Sequence, residues 1–596
     1  MSAPSPLLDA EGPLRISVSC AGKAQQDLAL ISLSVRHALN ALPWARLVLA
    51  DGDMAKNESP LSDGELFKPG TAIQISCGYG DQEASIFSGI VVRHGLKISS
   101  SNDCRLVVEC RDAACKMSLD RRSANYVEQS DADILQSLIS NAGLQADVSS
   151  SAITHKEIVQ YHCSDWDFML ARADALGWLV NVQAGKVKVA PPDTSSPPVL
   201  SLTWGQDLME LDADIDARRQ WSAVQCSAWD PKAQALVQSD DAKPQALNAQ
   251  GDLDSKTLAK VASPATLALQ SCAPRSQDEL NAWSKAVQSK AGLARICGQM
   301  RFQGSALAVP GSLITLAGVG ARFNGDVFVS AVQHDLSDGN WISSAEFGLA
   351  PTWHASRPDV MDMPNAGLLP GVSGLQTGVV LKLDGDPEGE NKIQVKLPTM
   401  QASTEGVWAR LLQFHASSGF GSFFLPEVGD EVVLAHFNND PSHPVVLGSL
   451  YSSKHAPPYA LAAENNTKAL VTRCKHKFEF NEEDKIITLS TPGGNQMVLD
   501  DKDKSILLKD QNGNTVKLSS AGIALDSPKD ITLKATGNIQ LTATQGVSIK
   551  ADMDVKLAGM NISAEAQVGA SLKGTATAEL SASGQTTVKG AMVMIN

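Results

Sequence analysis

The sequence holds few residues whose type and spacing could bind a metal ion. His436 and His443 flank Asn438-Asn439-Asp440-Pro441, and imidazole nitrogens are common zinc ligands. The Asn-Asn pair and the proline, however, already favour a hairpin turn between the two histidines. The chain also lacks the HExxH and HxH patterns, in which two histidines share one ion. We therefore predict no metal site and no cofactor.

A second chemical possibility is the pair of carboxylates Asp165 and Asp167 on either side of Trp166, because paired carboxylates can act as general acid and base. They follow Ser164, a helix-capping residue type, and a helix dipole favours acids in the first turn. GxSxG and GxxxxGK[ST] are absent, and Gly318-x-Gly320 lacks a third glycine and lies among predicted strands. We predict no catalytic residue and interpret both acids as the start of a helix.

The clearest pattern is an apolar-x-apolar triplet that returns every eight residues near the C-terminus. Each triplet follows a Gly, Asp or Asn and precedes a small residue by two positions. The alternation predicts a strand with one buried face, and the turn former at a constant offset predicts a repeated corner. The apolar residues predicted to form the core of this needle are Ile523, Leu525, Ile531, Leu533, Ile539, Leu541, Val547, Ile549, Val555 and Leu557.

One eight-residue repeat, here called an octad, offers only two large apolar side chains. It cannot bury its own face and therefore has to stack on neighbouring octads. The chain has no Phe, Trp or Tyr after Phe480, which indicates a thin, aliphatic core. Three chains wound round one axis would close the sheet edges that a single chain leaves open. A disordered tail is the alternative that composition allows, and the five in-register octads favour a trimeric, triple-stranded β-helix over it.

The chain ends on an apolar stretch that no charged residue follows. An apolar strand end is an aggregation hazard that soluble proteins normally cover, and the flexible Met side chain adapts well to a partner. We predict that this stretch binds a separate tip protein, the alternative being that it only fills the last rung. The residues are Met592, Val593, Met594, Ile595 and Asn596.

The part of the chain before the octads is predicted to be mainly β. Strand-like alternation fills 13–118 and 298–349, and helices are predicted over 131–141, from Ser164 to Gly177 and over 278–293. Arg357 to Gly374 is rich in Pro and Gly and is interpreted as a linker. Six short strands then fit a small closed barrel such as an OB-fold. They are Gly378–Val380, Ile393–Val395, Val407–Leu411, Phe423–Leu425, Glu431–Leu434 and Pro444–Leu447.

Charge and composition exclude several classes of function. The net charge is −15, and from Leu461 onward 15 basic residues balance 15 acidic ones, so the excess of acid lies upstream. OB-folds that bind single strands need a basic groove with exposed aromatic residues. The strands here are acidic to neutral, and we interpret their phenylalanines as buried. We therefore predict that the protein does not bind nucleic acid.

Features of export and membrane insertion are also missing from the sequence. Met1–Pro6 has no basic n-region or apolar h-region, and no apolar run has the length of a membrane span. The ten cysteines are scattered without a CxxC pair, which favours free thiols in a reducing compartment. We expect a protein that is cytoplasmic as assembled and leaves the cell without a signal peptide.

Three stretches, within Gly421–Tyr451, Ser164–Phe168 and Gly320–Gly325, resemble the VgrG family, the spike proteins of type VI secretion and related contractile injection systems. The main one runs from Gly421 to Val432 (GSFFLPEVGDEV) and continues through Phe437-x-x-Asp440-Pro441 to Tyr451. Ser164–Phe168 (SDWDF) is similar to a motif of the family's hub domain, and Gly320–Gly325 (GARFNG) looks like part of its second hub barrel. The resemblance covers nearly the whole chain in the family's order.

The resemblance implies a domain order and a set of partners. The expected domains are a phage-hub-like domain over 1–356, a linker over 357–374, an OB-fold over 375–460 and a β-helix needle over 461–596. The hub would contain two β-barrels with helical insertions near 121–180 and 228–292. The protein is expected to form a homotrimer, to contact an Hcp-like tube and baseplate proteins at the hub, and to carry a PAAR-type tip protein and effector cargo.

The expected function is that of a non-enzymatic spike that punctures a target envelope. Some relatives carry an enzyme domain before the needle, but Tyr451–Phe478 is too short for one. Two alternatives stay open, a spike-borne envelope hydrolase and a trimeric tail fibre or adhesin. The sequence also leaves open whether the machine is a type VI system, an extracellular injection particle or a phage.

Overall fold

The structure is a computed structural model that describes residues 3–8, 11–262, 264–398 and 406–595. It consists of two compact units, residues 1–450 and 451–596. The first unit holds the predicted hub, the linker and the strands of the OB-fold. The boundary at 450/451 lies slightly before the predicted start of the needle at 461.

The first unit begins with seven strands that pack over one apolar core. Their order within the sheet is β3-β4-β7-β6-β5-β1-β2, and the pairs are antiparallel. Apolar residues alternate along these strands, so one face packs around the buried Leu33, Leu47, Ile75 and Leu106. The strands are β1 Leu14–Cys20, β2 Lys23–Gln25, β3 Leu30–Ala38, β4 Trp44–Ala50, β5 Ala72–Tyr79, β6 Gln82–Ile98 and β7 Cys104–Arg111.

A small α/β part follows, and its two helices begin and end as the sequence predicts. Its elements are β8 Arg121–Ser130, α1 Asp131–Asn141, β9 Gln145–Val148, β10 Thr154–Ser164, α2 Asp165–Leu176, β11 Leu179–Gln183 and β12 Lys186–Ala190. The Ser164 hydroxyl accepts the Asp167 N–H at the start of α2, and Gly177 ends the helix with a φ of 69°. The interpretation of Asp165 and Asp167 as first-turn acids is confirmed.

The rest of the hub returns to the same sheet and contains an inserted α/β segment. The sheet strands are β13 Leu200–Thr203, β14 Leu208–Ile215, β18 Ile296–Gln303, β19 Leu313–Ala317, β20 Gly325–Ser337 and β21 Asn340–Phe347. The inserted elements are β15 Val224–Asp230, β16 Ala235–Gln238, α3 Ser255–Leu258, β17 Leu267–Ser271 and α4 Gln277–Leu293. The helix predicted over 278–293 is thereby confirmed.

The two predicted hub barrels are joined into one thirteen-stranded sheet over two separate cores. The long strand β20 makes the connection, because its first part pairs with β19 and its second part pairs with β3. Ala331 lies opposite Ala38, so residues far apart in sequence are neighbours in the sheet. The strands of the two predicted barrels therefore form one continuous sheet. The strands on the β3 side of β20 cover one core, and those on the β19 side cover the other.

A buried ion pair fixes α2 against α4. Lys290 Nζ lies 2.7 Å from Asp174 Oδ1, and both side chains are less than a tenth exposed. The other Asp174 oxygen accepts the His354 N–H at 2.7 Å, and the ammonium lies 4.7 Å from the centre of the Trp353 ring. Since each charged atom has several partners, the pair can be buried without an uncompensated charge. It attaches the inserted segment to the α/β part.

Residues 376–449 contain a closed five-stranded barrel in the order β22-β23-β24-β28-β27, as the OB-fold prediction requires. The strands are β22 Gln376–Lys382, β23 Ile393–Lys396, β24 Val407–Leu411, β25 Ala416–Ser417, β26 Phe420–Gly421, β27 Glu431–His436 and β28 Pro444–Ser449. The predicted strand Phe423–Leu425 is wrong, because these residues lie in an irregular segment after the short β25–β26 hairpin.

The interpretation of the barrel's phenylalanines as buried is also wrong. The barrel core consists of eight aliphatic residues, so it has no place for an aromatic ring. The aromatic rings of the segment between β24 and β27 are open to solvent instead. The exposed side chains are Phe414, Phe420, Phe423 and Phe424, at 101%, 66%, 82% and 65%.

The second unit is a seven-stranded antiparallel meander in which each strand pairs with the next. The strands are β29 Thr467–Val471, β30 Lys477–Asn481, β31 Ile486–Ser490, β32 Gln496–Asp500, β33 Ser505–Lys509, β34 Thr515–Ser519 and β35 Gly522–Asp526. Strand starts are nine or ten residues apart up to β34, which leaves room for a hairpin turn after each strand. Among the described residues after Asp526, no strand forms.

Two further predictions concern the chain as a whole. All ten cysteines are free thiols, as predicted. No helix in the described ranges combines the length and the apolar character needed to cross a membrane.

Candidate functional site

One face of the meander in the second unit presents a continuous, partly exposed apolar surface. Side chains alternate between the two faces of a strand, so direct cross-strand partners share a face. The register places an unbroken row of apolar side chains opposite one another across all seven strands. This row is Leu470, Phe478, Leu489, Met497, Leu508, Val516 and Leu525.

A second row lies beside the first, on the same face of the sheet. It starts at Lys468 and continues with Phe480, Ile487, Leu499, Ile506, Leu518 and Ile523. We name the two rows together the apolar face. Leu489 is 53% exposed and Leu525 is 54% exposed, although both lie in regular, paired strands.

The opposite face of the meander is mostly polar. On β31, for example, Thr488 and Ser490 lie on that face and alternate with the apolar-face residues Ile487 and Leu489. Ser490 is opposite Lys477 and Gln496. A sheet with one polar and one apolar face is stable in water only when something covers the apolar side.

The predicted needle-core residues all lie on exposed positions of the single chain. Ile523 and Leu525 belong to β35 and to the apolar face, while the other eight follow it in the segment without strands. Their exposed fractions run from 54% for Ile531 to 74% for Ile523. In a single chain, a short rung has no neighbouring strand with which to form ladder hydrogen bonds. The assignment of these ten residues to a trimer core therefore stays a prediction.

The predicted tip residues are likewise open to solvent. Met592, Met594 and Ile595 are 79%, 78% and 90% exposed. Asn596 lies outside the described residues. Their role in binding a tip protein stays a prediction.

The residues considered for chemistry have structural partners instead. Arg122 Nε donates to Asp165 Oδ1 at 2.6 Å, and Asp167 Oδ1 lies 2.9 Å from His354 Nε2. His443 Nδ1 contacts Asp440 Oδ2 at 3.0 Å in the turn that follows β27. Within the described ranges, no group of three or more His, Cys, Asp or Glu could hold a metal ion.

His436, at the end of β27, is the exception among these residues. Both of its ring nitrogens are shielded from solvent without a hydrogen-bond partner in the described part of the chain. Burial lowers the pKa of His436 below its ordinary value, and the nearby Asp440 only partly offsets this. The ring is therefore neutral near pH 7.

The apolar face was not predicted from the sequence, where the regular repeat was recognised only from Ile523 onward. The available signal was the x-apolar-x-apolar-x pattern of the five-residue strands β30 to β35, repeated every seven to ten residues. The leading pair of aromatic residues, Phe478 and Phe480, belongs to this pattern as well.

Comparison with known families gives three matches along the chain. Residues 11–338 match the Alg8 N-terminal domain. Residues 376–451 match the type VI secretion system/phage-baseplate injector OB domain, and residues 486–550 match the phage baseplate V C-terminal trimerisation domain. The last match covers most of the meander and the first octads.

Curated relatives match over shorter stretches. The actin cross-linking toxin VgrG1 of Vibrio cholerae is 28% identical over 160 residues, which are 26% of this chain and 14% of the relative. The type VI secretion system spike protein VgrG1c of Pseudomonas aeruginosa is 31% identical over 124 residues, or 19% and 17% of the two chains. The matched stretches thus span less than a fifth of each of these relatives.

Among solved structures, the E. coli c3393 protein, a component of the type VI secretion system, aligns with a TM-score of 0.36 at 13% identity. The alignment covers 73% of this chain and 99% of that one.

Proposed function

We propose that this chain, which belongs to the VgrG family of spike proteins, forms the homotrimeric spike of a contractile injection apparatus. Its residues 11–338 belong to the family of the Alg8 N-terminal domain. The observation that carries the proposal is the apolar face of the meander. Three such faces turned toward one axis would cover one another and leave the polar faces in water.

The same arrangement gives the octads their partners. From Ile531 onward each chain would contribute one short rung at a time, and the rungs of three chains would pair around the axis. Such a prism suits a mechanical role, because a force along its axis has to break many ladder hydrogen bonds together. Contraction of the apparatus would drive this needle through a target envelope.

Each predicted domain would have its own role in the spike. Residues 1–356 would contact an Hcp-like tube and baseplate proteins, the OB-fold over 375–460 would connect hub and needle, and 461–596 would form the needle. A PAAR-type protein would sit on the end of the needle, and effectors would travel as cargo. The spike would assemble in the cytoplasm and be delivered outside the cell, or form part of a phage-tail-like particle.

We also propose that the chain acts without enzymatic activity. Apart from His436, the ionisable residues considered for chemistry are engaged in helix starts, turns and ion pairs, which account for them structurally. Incubation of the purified protein with peptidoglycan tests this proposal. Release of soluble fragments above the buffer level would favour the envelope hydrolase instead.

The trimer proposal is tested with two single substitutions in the full chain. Leu489→Asp places a carboxylate on the apolar face of every copy, whereas Ser490→Asp places it on the polar face opposite Lys477. A buried, unpaired charge costs several kcal/mol per copy. Sedimentation should give three times the mass of one chain for the wild type and for Ser490→Asp, and a smaller species for Leu489→Asp.

A wild-type protein that sediments as a single folded chain would contradict the proposal. The same holds if Leu489→Asp and Ser490→Asp assemble equally well, because the apolar face would then lie outside the contact between copies.

A further inference from the structure

Three parts of the first unit enclose a cavity of about 370 Å³. One wall is the β11–β12 hairpin, the second consists of β6 residues Ser85–Ser88, and the third is the 306–310 stretch with Ala308 and Pro310. His37 of β3 and His334 of β20 complete the lining. A volume of this size is in the range of small-molecule sites.

The hairpin wall is polar because of strand alternation. Val180 and Val187 belong to the core that the hairpin shares with α1 and α2. The residues that alternate with these core valines lie on the other face, where Asn181 is opposite Lys188 and Gln183 is opposite Lys186. The apolar 306–310 stretch lines the same cavity, so the cavity has one hydrogen-bonding wall and one hydrocarbon wall.

The lining carries two lysines and no carboxylate, in a chain with fifteen more acidic than basic residues. Lys186 Nζ lies 2.7 Å from Asp147 Oδ2, which is outside the lining and about half exposed. Hydrogen bonding with Lys186, helped by the charges of Lys186 and Lys188, lowers the pKa of that carboxyl. The backbone of Lys188 pairs within the sheet, whereas its ammonium makes no ion pair or hydrogen bond with a described residue.

The hydrogen bonds of His334 settle which of its ring nitrogens carries the proton. Its Nδ1 contacts the Ser343 hydroxyl at 2.9 Å and accepts the Trp341 indole N–H at 3.3 Å. An indole nitrogen can only donate, so Nδ1 must be the unprotonated nitrogen of a neutral ring. The remaining Nε2–H has no partner among the described residues, and it is the polar atom that this ring can offer to the cavity.

We propose that this cavity binds a small amphipathic anion, namely a carboxylate or a phosphate monoester with a short apolar chain. Lys186 and Lys188 hold the charged group, and the apolar chain lies against Ala308 and Pro310. The Nε2–H of His334 and the hydroxyls of Ser85 and Ser88 supply neutral donors; these hydroxyls make no hydrogen bond within the described part of the chain. This binding is independent of the trimeric needle.

Calorimetric titration of the purified full-length protein tests the proposal with three probes. Octanoate and butyl phosphate carry the charge, and octanamide is the neutral match to octanoate. Octanoate should bind saturably at one site per chain, and octanamide should bind at least tenfold more weakly. Lys188→Gln should weaken octanoate at least tenfold, while Lys97→Gln, which removes an exposed lysine on β6, should leave the affinity unchanged.

Three results would overturn the proposal. The first is equal affinity for octanoate and octanamide, which would make the site merely apolar. The second is an equal effect of Lys188→Gln and Lys97→Gln, which would place binding elsewhere. The third is the absence of saturable binding by both octanoate and butyl phosphate. Thermal melting of both variants establishes that they fold like the wild type.

Discussion

The protonation state of His334 is determined by the residues that pack around its ring. His334 is 3% exposed and lies between the Ser343 hydroxyl and the Trp341 ring. Burial, together with the nearby His37, lowers the pKa of His334 to about 3. The sequence gives no sign of this, because a histidine in an alternating strand looks the same whether it faces solvent or a core.

This shift makes the stability of the hub depend on pH. Between pH 3 and the unfolded value of about 6.5, the unfolded chain binds a proton at His334 that the folded chain does not. Stability therefore falls as the pH is lowered from 6.5 toward 3, by about 1.4 kcal/mol per pH unit for this one group. Replacing His334 with Gln should reduce the measured slope between pH 6 and 4 by about that amount.

The measurement is urea unfolding of the full chain, followed by tryptophan fluorescence at several pH values. Carboxylates with lowered pKa add a slope of the same sign, so only the difference between wild type and variant reports on His334. Identical slopes in the two proteins would show that the ring is already protonated in the folded hub.

Among the elements, the helices were the easiest to predict. The start and end of α2 follow from Ser164 and Gly177, whose roles depend only on local backbone geometry. The irregular segment around Phe423 was predicted wrongly, because a short apolar run such as Phe423-Phe424-Leu425 has the same local pattern whether or not a partner strand exists. The meander and the octads share apolar alternation, but only the longer spacing of the meander leaves room for turns that let one chain pair with itself.

The octads carry a prediction about inward and outward positions. Changing Ile539 or Leu541 to Asp should prevent assembly of the needle, because each copy would place an unpaired charge in a dry core at a cost of several kcal/mol. Gln540→Asp, between the two, should leave the trimer intact because position 540 is predicted to point outward. Thermal melting and sedimentation of the full chain compare the three variants; equal tolerance at 540 and 541 would refute the predicted faces.

At the scale of the whole molecule, the sequence predicted the mainly β fold and the OB barrel. It did not predict that both halves of the hub share one sheet, because the pairing of Ala38 with Ala331 leaves no local trace. The apolar face became visible as a surface only once the cross-strand register was known.

The end of the chain provides a test at this scale. Deleting Met592–Asn596 should leave the trimeric mass unchanged and abolish the capture of a PAAR-type protein in a pull-down, because the exposed apolar side chains would be gone. Replacing the exposed Met553 with Ser is the matched control and should retain capture. Full capture by the truncated trimer would place the binding surface elsewhere.

The contrast between the thirteen-stranded sheet and the meander has a consequence for how the chain folds during synthesis. Each meander strand finds its partner in the next few residues, and a hairpin forms in about 1–10 μs. Strand β3 has to wait for β20, which at 5–20 residues per second is roughly 15–60 s of translation. Until then the open edge of β3 is a template for wrong pairing, so we expect the growing hub, rather than the finished needle, to depend on chaperones in the cell.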